Sequence, residues 1–221
     1  MRFPGKGAQS QPPAASRRIK CPTEVALATA FSHAAVALSI GSCFYRRGVP
    51  KRIWVAGVIC SVLPDVDVVG FKYGIRYGDF WGHRGFTHSL GFAALLAGIA
   101  MVTVFGRGTT SAQISAGMSR TALFAYLFLT TASHGLLDAM TNGGLGVAFF
   151  SPFDNSRYFL PWRPIVVSPI SVLRFFNPRA QAILLSELIW IWIPAGLLAA
   201  CALMLRARAA RRGEAVEAQA G

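Results

Sequence analysis

His83-Arg84-Gly85-Phe86-Thr87-His88-Ser89 runs directly into the apolar stretch Leu90-Gly91-Phe92-Ala93-Ala94-Leu95-Leu96-Ala97-Gly98-Ile99. Two imidazoles and a guanidinium at the mouth of a lipid-compatible helix are an expensive arrangement. Ionisable groups at membrane depth are costly, and they mark a functional site more often than packing. The rest of the chain repeats the pattern. Ser32-His33 and Ser133-His134, the latter followed by Asp138, sit inside apolar runs, and Leu63-Pro64-Asp65-Val66-Asp67 closes another. All four histidines therefore lie in or beside segments that should avoid them.

Composition sets the class. Of the 221 residues, 53% are hydrophobic and only 14% charged, against about 25% charged in soluble domains. The formal net charge is +13, but the basic residues fall in short clusters between apolar stretches: Arg17-Arg18 with Lys20, Arg46-Arg47 with Lys51-Arg52, and Arg206 to Arg212. This is membrane-flanking charge. No aromatic residues interleave with a basic stripe as nucleic-acid binding would require, so no nucleic-acid partner is expected. Cys21, Cys43, Cys60 and Cys201 form no CxxC pair. The last three lie in or at the ends of apolar runs and are expected to be buried thiols.

Residues 1–23 hold five basic and no acidic residues and read as a disordered arm. Residues 24–205 read as one membrane-embedded domain, and 206–221 as a basic, polar tail. A cleaved signal peptide over 1–40 is disfavoured, because Val25 to Phe44 has the length of a full span, about 20 residues. The predicted fold is all-α: a multi-pass transmembrane bundle of about five spans, near 24–45, 53–70, 87–105, 120–141 and 183–205. Thr87 is the expected N-cap of the third, and Asn142-Gly143-Gly144 the stop of the fourth. The segment 142–182, rich in Pro, Phe and Trp, reads as an ordered loop at the membrane interface.

Alternating spans decide where each polar residue lies. Asp65 and Asp67 end span two; His83 and His88 lie in the following loop and at the start of span three. His134 and Asp138 approach the end of span four, while His33 and Glu187 lie near the starts of spans one and five. All of these converge on one membrane face. His134 and Asp138, four apart, share a helix face. Mixed His and Asp ligation favours zinc, manganese or iron over calcium or magnesium. Each residue also has a plainer explanation: His33 as a hydrogen-bonded core residue, Asp138 as a helix end, Glu187 as an acid favoured in a first turn, and Arg84 as a snorkelling flank. Asp79 and Asp154 read as solvated loop charges. The plainer explanations must all hold at once to remove the site.

His33, Leu63-Pro64-Asp65-Val66-Asp67, Gly82-His83-Arg84-Gly85-Phe86-Thr87-His88-Ser89 and His134-Gly135-Leu136-Leu137-Asp138 together resemble the membrane-bound metal-dependent hydrolases typified by a LexA-regulated bacterial inner-membrane protein. The likeness covers about residues 24–200. It implies a multi-pass protein of the bacterial inner membrane and a hydrolase. A more distant similarity to zinc-dependent phospholipases C rests on the spacing of His134 and Asp138; this chain has fewer histidines than those enzymes.

The expected function is metal-dependent hydrolysis of a lipid-associated ester or phosphoester. The divalent ion, zinc or else manganese or iron, would be held by His33, Asp65, His88, His134 and Asp138. Asp67 and His83 would complete a second ion site or orient the first ligands. Glu187 is the candidate general base, and Arg84 the candidate for stabilising negative charge on the substrate. The partners implied are the lipid bilayer and the lipid-associated substrate. A metal or proton transporter would also carry His and Asp within spans, but spread through the membrane depth. A non-catalytic membrane scaffold would tolerate loss of the histidines. Basic residues divide almost evenly between the two sides, and the dense cluster from Arg46 to Arg52 leans toward a cytoplasmic loop there and an extracytoplasmic site.

Overall fold

The computed structural model describes residues 27–44, 49–103, 106, 118–168 and 180–220. The arm at 1–23 and part of the long loop, 169–179, lie outside them. The described chain is all-helical: α1 (Leu27–Phe44), α2 (Lys51–Val62), α3 (Leu90–Thr103), α4 (Arg120–Ala139), and α5 (Ala180–Glu187), which passes through a π-helical turn at Leu188–Trp192 into α6 (Ile193–Ala220). A 3₁₀ segment, Leu63–Tyr73, continues α2 without a break. No strand occurs among the described residues; two isolated bridges, Thr141 with Ile165 and Val147 with Tyr158, tie the irregular segment after α4.

Helix α4 is the hub, packing against α1, α2 and α3, while α6 leans on α1. Leu123, Tyr126 and Leu127 of α4 are fully buried beside Ile53 and Cys60 of α2 and Ala97 of α3. The outer faces are as apolar as the core. Leu197, Met204 and Leu205 of α6 are more than half exposed, and Val55, Ile59, Leu95, Ile99 and Leu129 point outward from the other helices. Apolar surface on this scale is stable against lipid and not against water.

Two helices among the described residues are long and apolar enough to cross a membrane, Lys51–Tyr73 with 23 residues and Ala180–Arg212 with 33. Ala30–Phe44 and Leu90–Thr103 are apolar but shorter. The expected all-helical class is met, whereas two helices among the described residues, not about five, have the length and composition of a span. Two finer expectations are corrected. Helix α3 begins at Leu90, and Ser89 caps it by accepting from Phe92 N at 3.0 Å; Thr87 belongs to a separate 3₁₀ turn, Phe86–His88, with its hydroxyl spent on Asp67 at 2.6 Å. Of the three thiols among the described residues, Cys60 is buried, whereas Cys43 and Cys201 are exposed, because they fall on outward faces of their helices.

Helices α1, α2 and α4 approach closely because Gly41 and Gly57 carry no side chain there, a device common to membrane helix packing. A Cβ on Gly57 would stand 2.0 Å from Tyr126 Oη, and one on Gly41 2.5 Å from the Trp54 ring. We expect Gly57→Val to destabilise the detergent-solubilised protein by about 1–3 kcal/mol, the cost of overpacking, read as a lower denaturation midpoint.

Candidate metal centre

The 3₁₀ winding after Pro64 sets up the site. At about 3.0 residues per turn, positions two apart point roughly 120° from each other, so Asp65 and Asp67 serve different faces. The two carboxylates grip opposite edges of one imidazole. Asp67 Oδ2 lies 3.2 Å from His88 Nδ1, and Asp65 Oδ1 3.6 Å from His88 Nε2.

From the other side, α4 presents His134 and Asp138 one turn apart. His134 Nε2 is 3.1 Å from His88 Nε2 and 3.2 Å from Asp65 Oδ1. Asp138 Oδ2 is 3.2 Å from His88 Nε2 and 3.7 Å from His134 Nε2. All four residues are buried, and their ligand atoms lie within 4.8 Å of one another. The ends of α2 and α4 and the start of α3 thus meet at one end of the bundle.

Hydrogen bonds dictate the tautomers. His134 Nδ1 lies 2.7 Å from the Ser61 carbonyl oxygen; a carbonyl only accepts, so Nδ1 carries the proton and donates. His88 Nδ1 faces the Asp67 carboxylate and Thr87 Oγ1, the latter at 3.0 Å, and donates likewise. A neutral imidazole that donates from Nδ1 has only a lone pair at Nε2. Two such lone pairs then face each other at 3.1 Å, flanked by two carboxylate oxygens. Positive charge, as protons or as an ion, has to stand between them. A tetrahedral ion with bonds of about 2.0–2.1 Å separates its ligands by about 3.3–3.4 Å, and the five separations above, 3.1 to 3.7 Å, bracket that value. Asp138 Oδ2, one of the corners, is buried without a hydrogen bond. The cluster could hold a metal ion, and its donors fit one.

The supporting groups are equally specific. Asp67 takes His83 Nδ1 at 2.8 Å, Arg84 N at 3.3 Å and Thr87 Oγ1, in addition to His88. Carboxylates behind a histidine orient the ring and raise its basicity. Asp67, His83 and His88 form a second group with metal-type spacing, although these hydrogen bonds already engage both oxygens of Asp67. Arg84 is buried in the left-handed region at φ 64°. Its Nε and Nη2 lie 3.2 and 3.3 Å from the Asp138 carboxylate. Its Nη1 donates to Thr141 Oγ1 at 2.9 Å and to the Gly143 carbonyl at 3.0 Å.

Besides Asp67, His83 and Arg84, two more expected site residues lie outside the four-residue cluster, His33 and Glu187. His33 stacks on His134 with ring centroids 3.7 Å apart and planes 18° from parallel. Glu187 accepts from Ser32 Oγ at 2.8 Å, and Ser32 Oγ accepts from Trp192 Nε1 at 2.8 Å. Ser32 precedes His33, so the Glu187 group sits about 100° round α1 from the imidazole. The loop charges behave as expected: Asp79 accepts from Arg76 N at 2.8 Å, and the backbone and side chain of Arg76 hold its carboxyl below the usual range.

Three contributors carried no sequence signal. The Ser61 carbonyl is backbone. Gly135 admits the His88 turn, because a Cβ there would stand 2.6 Å from the His88 carbonyl oxygen. Arg157 rivets the two site loops together, donating to the carbonyls of His83 at 2.9 Å and Tyr77 at 2.9 Å. These bonds tie the described part of the 142–182 segment, residues 142–168, to the loop that carries His83. Only the adjacency of Gly135 to His134 hinted at any of the three.

A family model described as YdjM inner membrane protein matches residues 28–210. The Inner membrane protein YbcI of Escherichia coli (strain K12) is 42% identical over 173 residues, covering 77% of this chain and 94% of the relative. No solved structure matches. We expect Asp67→Asn to weaken divalent-metal binding about 10–100-fold, as loss of such supporting carboxylates does, measured by chelator competition with folding intact. A Gly135→Ala chain should show the same loss because the His88 turn is pushed off α4.

Proposed function

The chain belongs to the YdjM inner membrane protein family and is a protein of the bacterial inner membrane; from that premise we propose that it is a metal-dependent hydrolase of a lipid-associated ester or phosphoester. Its bundle crosses the bilayer about five times. The observation that carries the metal is the 3.1 Å approach of two Nε2 lone pairs whose Nδ1 protons are already spent. Asp65, His88, His134 and Asp138 hold the ion. Zinc suits four nitrogen and oxygen donors at these separations, while manganese and iron share the preference for this ligand set.

When bound, the ion supplies Lewis-acid polarisation of a scissile carbonyl or phosphoryl group and acidifies water to a pKa of about 7. The residues do the rest. Asp67 and the Ser61 carbonyl hold the two imidazoles in their tautomers. Arg84 orients Asp138 through paired contacts, since its Nη donors are occupied within the protein and its Nε is ion-paired to the same carboxylate. Asp65, with 12% of its side chain exposed, is the ligand nearest to solvent and lies where substrate enters. Glu187, hydrogen-bonded to Ser32 beside His33, is the remaining carboxylate in reach of α1 and the candidate base. Gathering of the donors at one end of the bundle favours surface chemistry on a lipid over transport, which needs ligands through the membrane depth.

Elemental analysis of the purified protein should find a stoichiometric transition metal, and a panel of esterase and phosphoesterase substrates should be turned over only by the metal-loaded form. His134→Ala should lose the metal and at least 100-fold of the activity. Absence of metal in a folded wild-type protein that also takes none up would sink the reading. The cluster at Arg46 to Arg52 puts the site outside the cytoplasm. A fluorescent protein fused to the C-terminus should then fold and fluoresce in the cytoplasm, whereas an active alkaline phosphatase fusion there would reverse the assignment.

A further inference from the structure

His33 is buried, and neither of its ring nitrogens has a hydrogen-bond partner. Every other imidazole around the cluster has at least one nitrogen engaged. A neutral imidazole always carries one N–H, so this ring buries an unmet donor and an unmet acceptor in a region of low dielectric. Such groups are costly to leave unmade, and a native one points to an absent water, ion or ligand.

The stacking geometry excludes the simplest remedy. An imidazole lone pair lies in the plane of its ring, so an ion held by His134 Nε2 sits in the His134 plane. The His33 ring lies nearly parallel to that plane at a centroid distance of 3.7 Å, and its own lone pairs point along its own plane. It cannot reach the same ion with a bond of about 2.0–2.1 Å. Arg84, the guanidinium at the cluster, has its Nη donors turned onto Asp138, Thr141 and Gly143. Arg84 Nε has no hydrogen bond either, but it is committed to the Asp138 carboxylate as an ion pair at 3.2 Å. The His33 ring is thus the imidazole against the cluster with both nitrogens unspent.

We propose that His33 is not a ligand of the ion but the hydrogen-bonding residue for an oxyanion, a carboxylate or a phosphate, that enters the site as part of the substrate or product. This rests on the metal-centre reading above. Its N–H meets an oxygen of the oxyanion, and its parallel stack on His134 fixes the distance of that oxygen from the cluster. An ester hydrolase needs such a group, because its products carry negative oxygen where the substrate carried none or less.

The test uses the full-length protein in detergent, loaded with cobalt, whose visible spectrum reports changes at the ion. Inorganic phosphate and acetate are titrated separately into the wild type and His33→Phe, which keeps an aromatic ring for the stack. The expected result is unchanged cobalt stoichiometry, cobalt affinity within about threefold, and at least tenfold weaker binding of whichever anion the wild type takes. Phosphate binding identifies a phosphoester substrate class and acetate a carboxylic ester. The metal-free His33→Phe protein should melt no lower than the wild type, since the two unmet groups are gone. Loss of cobalt affinity or of an ion from the variant would make His33 a ligand and overturn the proposal. So would anion binding that the substitution leaves unchanged, or no anion response in the wild type. Should His33→Phe fail to fold, His33→Gln carries the same comparison, with the same outcomes deciding. A wild type that takes no cobalt defeats the metal centre itself, whereas intact cobalt with unaltered anion binding defeats only the role of His33.

Discussion

Two imidazoles whose Nδ1 protons are already donated, His88 to Asp67 and His134 to the Ser61 carbonyl, face each other at 3.1 Å. Left alone, two lone pairs at that distance repel. The surrounding structure is organised to hold them there. Pro64 starts the 3₁₀ segment that aims Asp65 and Asp67 at the two edges of His88. Gly135 lets the His88 turn come down onto α4. Arg84 fixes Asp138 from behind, in a backbone conformation that a residue with a side chain rarely adopts. Such strain persists only where the neighbourhood over-determines it, and here Asp67 binds the backbone N–H of the same residue.

The low dielectric of a membrane protein raises the stakes of this arrangement. Fully satisfied, a buried polar network is rigid; half satisfied, it is worse than an apolar core. Asp67 is the satisfied part, with His83, Arg84, Thr87 and His88 all arranged about its two oxygens. Asp138 Oδ2, Arg84 Nε and both nitrogens of His33 are the part without hydrogen bonds. The division is spatial as well as energetic. The satisfied groups lie behind the cluster and the unmet ones are the atoms that face or flank it. A scaffold that is complete at its back and incomplete at its centre is built to receive something charged.

Much of this was legible in the residues, and the failures are instructive. Alternation of apolar runs foretold that His88, His134, Asp65 and Asp138 would meet at one end of a helical bundle, because helix direction is dictated by order along the chain. The four-residue spacing of His134 and Asp138 does place them on one face. Spacing could not reveal that Thr87 would cap nothing and bond Asp67 instead, since a threonine before a helix is chemically suited to both. Nor could it separate His33 from the ligands: its position on α1 brings it to the cluster, but the orientation of its ring depends on the packing of α1 against α4. Cys43 and Cys201 were expected inside on the strength of apolar neighbours. In a bundle whose outer faces are also apolar, hydrophobic surroundings in sequence do not distinguish core from lipid.

The amino-acid sequence by itself determined the class of the protein and the inventory of its site. Apolar length, sparse charge and the misplaced His and Asp residues are properties of composition and order, and they hold whatever the packing. Tertiary structure alone decided which nitrogen of each histidine is free. That choice is made by a backbone carbonyl at Ser61 and a carboxylate at Asp67, groups that act across space and leave no mark in residue spacing. It decided equally that Arg84 serves Asp138 and that His33 keeps both nitrogens unspent, because hydrogen-bond satisfaction is a property of neighbours in three dimensions.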